Sequence, residues 1–273
     1  MQKLTQSSST ASQNKNLSIQ FSLDGFSFCI KDDESKEILQ LSEYVFETAV
    51  NTPFLLLEKV KTIFETDEAL QGSFKSVRAI HQNNLASQIP KAYFDENNLK
   101  SYLNYNIKTL SSDYITYDEL PSLNANNVYI PYVNINNFLF KNFGEFTYEH
   151  HSTLLINELT QQFNNSTEDV ITVNVAYNTI EMVVFKKGVF HLYNSFTFKT
   201  KEDFLYYILF TSEQLNLKLE ELILVFLGNI TTEFSIYKAV EDYIKNIRFL
   251  EPNHDFLEKS EYFFPHSNYI LLS

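Results

Sequence analysis

Glu149-His150-His151 is the densest cluster of metal-ligand types in the sequence. Adjacent side chains on a strand point to opposite faces, so the two imidazoles cannot readily share one ion. The pattern reads instead as a strand end that caps the helix after it. His81, His191, His254 and His266 are scattered, without the H-x-x-x-H spacing that stacks two imidazoles on one helical face. Cys29 is the one cysteine, set in an apolar run with no histidine beside it. A reactive thiolate needs an exposed, electropositive setting, so Cys29 reads as a buried structural thiol. A single cysteine also excludes an intramolecular disulfide and a multi-cysteine zinc site. Asp24-Gly25 reads as a hairpin turn, Asp32-Asp33-Glu34 as a solvated hairpin tip, and Lys186-Lys187-Gly188 as a further turn. With 5 glycines, at positions 25, 72, 144, 188 and 228, neither G-x-G-x-x-G nor G-x-x-x-x-G-K-[ST] can be written. A glycine-rich phosphate cradle of either kind is therefore excluded. Arg78 and Arg248 are the only arginines, which argues against clamp-like recognition of phosphate.

The elements that must position these residues follow from hydrophobic period and turn chemistry. Leu17 to Ser22 reads as a strand, Phe26 to Lys31 as its hairpin partner, and Glu37 to Leu41 as a third strand. After Pro53, Leu56, Leu57, Val60, Ile63 and Phe64 recur at helical spacing. The order repeats in the second half: strands over Val170 to Val175, Ile180 to Phe185 and Val189 to Phe196, then a helix carrying Phe204, Leu205, Ile208 and Leu209. Leu222 to Leu227 is a short, wholly apolar run of the kind that forms a central parallel strand. A helix over Glu233 to Lys245 and a strand over Ile247 to Leu250 follow. Between the halves, strands are expected at Phe74 to His81, Asp113 to Tyr117, Asn127 to Tyr132 and Glu145 to His150. Helices are expected at Asp95 to Asn104 and Asn134 to Phe143. The apolar end, Tyr262 to Leu272, reads as an edge strand.

This is a duplicated α/β arrangement, with residues 17–165 as a first lobe carrying inserted elements and residues 166–273 as a second. Residues 1–16 are polar, lack the apolar region of a signal peptide, and read as a disordered tail. The chain has 273 residues and a formal charge of −13, from 34 acidic and 21 basic residues. That balance argues against nucleic acid or an anionic membrane as partner. No apolar stretch is long enough for membrane insertion. The lone cysteine agrees with a reducing compartment, and the expected location is cytoplasmic. A 44% hydrophobic share, with 17 Tyr and 25 Phe, is ample for packed cores.

The duplicated meander followed by helices resembles the actin, hexokinase and heat-shock chaperone superfamily. ITVNVAYNTIEMVVFKKGVFHLYNSFTF (residues 171–198) is similar to the second-lobe opening of bacterial actin-like proteins of pilus assembly and secretion. LILVFLGNITTEF (residues 222–234) is similar to their adenosine strand and loop. Nearly the whole chain resembles domain-of-unknown-function family 3822, through IPKAYFDENNLKSYLNYN, NVYIPYVNINNFLFKNFGEFTYEH and the adjoining His151-Ser152-Thr153. The resemblance implies two actin-like (ribonuclease H-like) lobes, each a mixed sheet with helices, and a cleft between them.

The same resemblance implies where a nucleotide would sit. The superfamily pinches ATP between two hairpin loops, each with an Asp and a Gly, whose carboxylates hold Mg²⁺ through water. In the first loop Ser22 falls at the Asp position and Asp24 at the Gly position, and a slip of two residues brings Asp24-Gly25 to the turn centre. In the second, Asn174 and Ala176 stand at the Asp and Gly positions. Gly228 alone remains of the adenosine-loop glycine pair. Phosphoryl transfer depends on positioning and charge neutralisation, so loss of both carboxylates implies little hydrolysis. The expectation is a non-catalytic adaptor or scaffold with a degenerate nucleotide site, no cofactor, no metal and another protein as partner. The alternative is an ATPase or kinase that uses ATP and Mg through an atypical loop at Asp24-Gly25.

Overall fold

A computed structural model describes residues 1–273 except 9, 11, 13 and 253. The chain divides into two units, residues 1–155 with 270–272, and residues 156–269 with 273. In the first unit β2 (Lys15–Phe21), β3 (Gly25–Asp32) and β4 (Ile38–Val45) form an antiparallel meander. β2 then pairs in parallel with β5 (Ser76–His81), and β5 with β9 (Thr147–His150). Leu17, Ile19 and Phe21 alternate with polar neighbours on β2 and are buried, the period-2 signature of a strand that packs on one face. Helix α1 (Pro53–Thr66) starts where Thr52 Oγ1 accepts the Leu55 amide, with Pro53 at its first position. It turns Leu56, Val60, Ile63 and Phe64 onto the sheet.

The second unit repeats this topology. β10 (Val170–Val175), β11 (Thr179–Lys186) and β12 (Val189–Thr197) form the meander, and β10 pairs in parallel with β13 (Ile223–Gly228), which pairs in parallel with β14 (Ile247–Phe249). The order β12-β11-β10-β13-β14 matches β4-β3-β2-β5-β9 strand for strand and direction for direction. Every residue of β13 is buried, as expected for a parallel strand covered on both faces. The β11–β12 turn places Lys187 at φ 48° and Gly188 at φ 81°, the double left-handed geometry of a two-residue hairpin. α5 (Lys201–Gln214) opens with a capping box between Thr200 and Asp203, and α6 (Ser235–Glu241) follows β13.

Several elements differ from the sequence expectation. Residues 2–7, expected within a disordered tail, form β1 (Gln2–Ser7), antiparallel to β4 from Gln2↔Val45 to Ser7↔Gln40. The rest of that expectation lies partly outside the described residues, at 9, 11 and 13. An unexpected strand β6 (Ala86–Pro90) joins β7 (Thr116–Leu120) and β8 (Ala125–Tyr129) in a separate three-stranded sheet, order β6-β8-β7. This sheet, with α2 (Leu99–Leu103), is inserted between β5 and α3 (Val133–Phe143). β9 is followed directly by α4 (His151–Phe163). The helix expected at 233–245 is shorter, because the chain turns after Glu241. The apolar end is no edge strand. It turns at 264–268 and ends in α7 (Tyr269–Leu272), whose Ile270, Leu271 and Leu272 are buried. Apolarity reports burial there, not extended geometry.

Candidate functional site

The first hairpin tip lies between β2 and β3. Its geometry is consumed by the chain itself: the Ser22 amide donates to Gly25 O at 3.0 Å and the Asp24 amide to Ser22 Oγ at 3.2 Å. On the other side, the Phe46 and Val50 amides donate to Asp24 O and Leu23 O at 3.0 and 2.8 Å. Asp24 is half-buried, and that desolvation raises its pKa above the ordinary carboxylate value. Gly25 is needed for packing, since a Cβ there would lie 2.9 Å from Tyr44 O.

The second loop follows β10. Asn174 is paired across the sheet with Glu181 and donates from Nδ2 to Glu181 Oε2 at 2.9 Å. Tyr193 O–H donates to the other carboxylate oxygen at 2.8 Å. The three residues form a ladder over β10, β11 and β12. The Ala176 amide closes the hairpin on Thr179 O at 2.9 Å. Gly228 ends β13 beside this loop at φ 87°, and a Cβ there would stand 2.3 Å from Val175 O and 2.7 Å from Asn174 Oδ1. Its amide donates to His266 O at 3.0 Å, while the Asn229 amide donates to Val175 O at 2.7 Å. His266 Nε2 lies 2.7 Å from Ile230 O, and its ring stacks on Phe249 at 4.5 Å. Because a carbonyl oxygen only accepts, that nitrogen carries the proton. The segment before α7 is thus fastened over the end of β13. Asn174 and Gly228 therefore meet within the second unit. Ser22, Asp24 and Gly25 share one turn in the first.

In the same unit, α5 and α6 border a groove of about 460 Å³. Its wall carries Lys201 and Lys238 against Glu202 and Asp242, with Leu205 and Tyr243 as apolar lining. The four charges balance formally.

The family model described as "Protein of unknown function (DUF3822)" matches residues 5–247. The chain belongs to that family. This DUF3822 protein has an actin-like ATPase fold. It is similar to a Bacteroides thetaiotaomicron protein with an actin-like ATPase fold and unknown function, at 23% identity and a TM-score of 0.78, covering 90% of this chain and 95% of the other. It is also similar in fold to a chain of the PilM–PilN type IV pilus biogenesis complex, at 10% identity and a TM-score of 0.60, covering 94% and 96% of the two chains. A search of the curated proteins finds no match.

Set against that fold, the positions that the sequence resemblance assigns to a nucleotide are bonded within this DUF3822 chain. Asn174 brings no charge and its amide N–H is directed at Glu181, and the Gly228 amide is directed at His266 O. Among the described residues no group of three or more His, Cys, Asp or Glu is placed to hold a metal ion, and no helix is long and apolar enough to cross a membrane.

Sequence reasoning missed a buried polar network in the first unit. Asp118, on β7, accepts from the His150 amide at 2.8 Å, Thr153 Oγ1 at 2.7 Å and Tyr129 O–H at 3.0 Å. Burial outweighs these bonds and pushes its carboxyl up to about 6. Asn127 Nδ2 donates to Ser152 Oγ and Thr153 Oγ1 at 2.9 and 2.8 Å. His150 Nδ1 accepts the Ser152 amide at 3.1 Å, so the imidazole caps the first turn of α4 and its Nε2 proton faces Asn83 Oδ1 at 3.3 Å. Nearby, His81 Nδ1 accepts the Tyr132 amide at 3.0 Å and Nε2 lies 2.9 Å from Asn136 Oδ1, which fixes a neutral ring whose pKa burial lowers to about 3. The network ties the inserted sheet to α4. The one signal for it in the sequence is an acid inside a strand-like run, TYDEL. Cys29 is buried, and desolvation lifts its thiol to about 12, an inert setting.

Proposed function

We propose that this DUF3822 protein is a non-catalytic, protein-binding adaptor or scaffold that keeps an actin-like fold with a degenerate nucleotide site. The observation that carries the reading is Asn174, which falls where the resemblance would put a metal-holding Asp: it is uncharged and spends its N–H on Glu181. The inward bonding of the first hairpin tip and of Gly228 supports the same conclusion. The fold neighbour from the PilM–PilN complex is a precedent for such a fold working in a protein assembly. A charge of −13 favours a protein partner over nucleic acid, and a single buried cysteine suits the reducing cytoplasm.

The second reading is a nucleotide-binding ATPase or kinase that uses Asp24-Gly25. Thermal shift with Mg-ATP separates the two. Ligand at 100 times its dissociation constant stabilises a binder by about 2.7 kcal/mol, several degrees for a domain of this size. The adaptor reading expects no shift. It also expects equal steady-state phosphate release from the wild type and an Asp24→Ala, Asn174→Ala double variant. A saturable shift, or turnover in the wild type alone, replaces it with the nucleotide reading.

A further inference from the structure

Of the two equivalent meanders, one is closed at its outer edge and the other is open. β4 is covered by β1, whereas β12, the corresponding third strand of the second unit, pairs with β11 alone and has no strand on its outer side among the described residues. We infer that the outer edge of β12 receives an extended segment of another protein, with alternating apolar side chains and acidic residues at both ends. The inference rests on the protein-binding reading above and adds the place and chemistry of the partner.

Three features of the sheet edge carry it. First, β12 is nine residues long and contains no Pro, Lys, Arg, Asp or Glu, the devices that usually blunt a bare edge. Second, an apolar ledge extends beside it. Phe196 stacks on Tyr207 of α5 at 4.4 Å, and on the same helix Tyr206 and Phe210 stack at 5.4 Å while 56% and 43% exposed. A strand added outside β12 brings every second side chain to one sheet face, where such a ledge can take them. Third, residues 186–201 hold Lys186, Lys187, Lys199 and Lys201 and no acid, within a chain of net charge −13. The lysines stand at the two ends of the strand. Lys187 and Lys199 are both exposed.

That charge pattern selects the occupant. If two copies paired β12 with β12 antiparallel about Tyr193, Lys187 of each would oppose Lys199 of the other, and like charges directly opposite are destabilising. A second copy is therefore disfavoured, and a strand flanked by Asp or Glu is complementary at both ends.

The test uses the full chain and two labelled peptides, Glu-Glu-Val-Thr-Val-Ser-Val-Thr-Glu-Glu and the same core flanked by Lys-Lys. Fluorescence anisotropy should show the acidic peptide binding tighter by about tenfold, as the rim charge contacts to Lys187 and Lys199 change sign. Amide hydrogen exchange should slow over residues 189–197. A Lys187→Glu, Lys199→Glu variant, altered only at exposed positions, should keep its melting temperature and reverse the preference. A Tyr206→Ala, Phe210→Ala variant should weaken both peptides. Equal or absent binding of the two peptides, protection elsewhere, or a wild-type dimer with β12 already protected each overturns the proposal. None of these outcomes bears on the Mg-ATP measurement, which tests the underlying reading separately.

Discussion

Asp118 and His81 are buried ionisable groups whose effects on stability oppose each other with pH. The His81 pKa is lowered in the fold, so its contribution is present above the unfolded value near 6.5 and is lost as pH falls toward about 3. The Asp118 pKa is raised to about 6, so the fold gains as pH drops from there toward the ordinary carboxylate value of 3.8. Asp118→Asn removes the gain and leaves the loss. Its stability, followed by urea unfolding, should therefore fall more steeply than that of the wild type between pH 6 and 4. Parallel curves would show that Asp118 does not titrate in that window. Asp67 gives a second residue-scale test. It is 5% exposed, and burial opposes its charge, but bonds from Lys3 at 2.8 Å, Tyr44 O–H at 2.5 Å and the Ala69 amide together hold its carboxyl below the usual range. Lys3→Met strips the cation from a buried carboxylate and should cost about 1–3 kcal/mol. Lys3→Arg should recover most of it.

At the scale of elements, β1 and the β13 end are the informative pieces. β1 contributes little apolar burial; the backbone ladder and the Thr5 Oγ1–Ser42 Oγ hydrogen bond hold it on β4, and Lys3 ties it to Asp67. Deleting residues 1–7 should lower the melting temperature, although the composition of that segment suggests a dispensable tail. A deletion with an unchanged melting temperature would show that β1 docks only weakly. Gly228→Ala sets a Cβ against Val175 O and Asn174 Oδ1 in a left-handed backbone that disfavours side chains, at a cost of about 3 kcal/mol. Gly144→Ala is the control: its φ is 75° and nothing lies within 4 Å, so it carries backbone strain without the clash and should cost less.

For the whole molecule, the two units carry separate apolar cores. One runs from Leu17 to Leu139 among its buried members, with Phe26, Phe28, Leu56 and Val60, and the other from Ile171 to Ile244, with Val173, Phe204 and Phe226. Cores that share no residue need not melt together. Scanning calorimetry should resolve two transitions, and Gly228→Ala should move only one of them. A single transition displaced as a whole by that variant would mean that the units unfold cooperatively.

The two meanders are legible from the sequence because their information is local. Period-2 burial marks β2, the apolar run Phe26 to Ile30 marks the buried β3, Asp24-Gly25 and Lys187-Gly188 supply turns, and the apolar run before Gly228 marks β13. From these the α/β class and the repeated strand order follow. Only the tertiary structure places β1, since its six residues carry a single buried-type side chain, Leu4, and its partner strand lies far along the chain. The same holds for Asp118, whose hydrogen-bond donors come from β8, β9 and α4, and for Gly228, which must be glycine because β10 passes beside it. The end at Tyr262 to Leu272 shows the limit most directly. Its hydrophobicity determined that Phe263 and Ile270 to Leu272 are buried, but whether the chain extends or coils was decided by the surface it packs on, because hydrophobic burial has no direction and backbone pairing does.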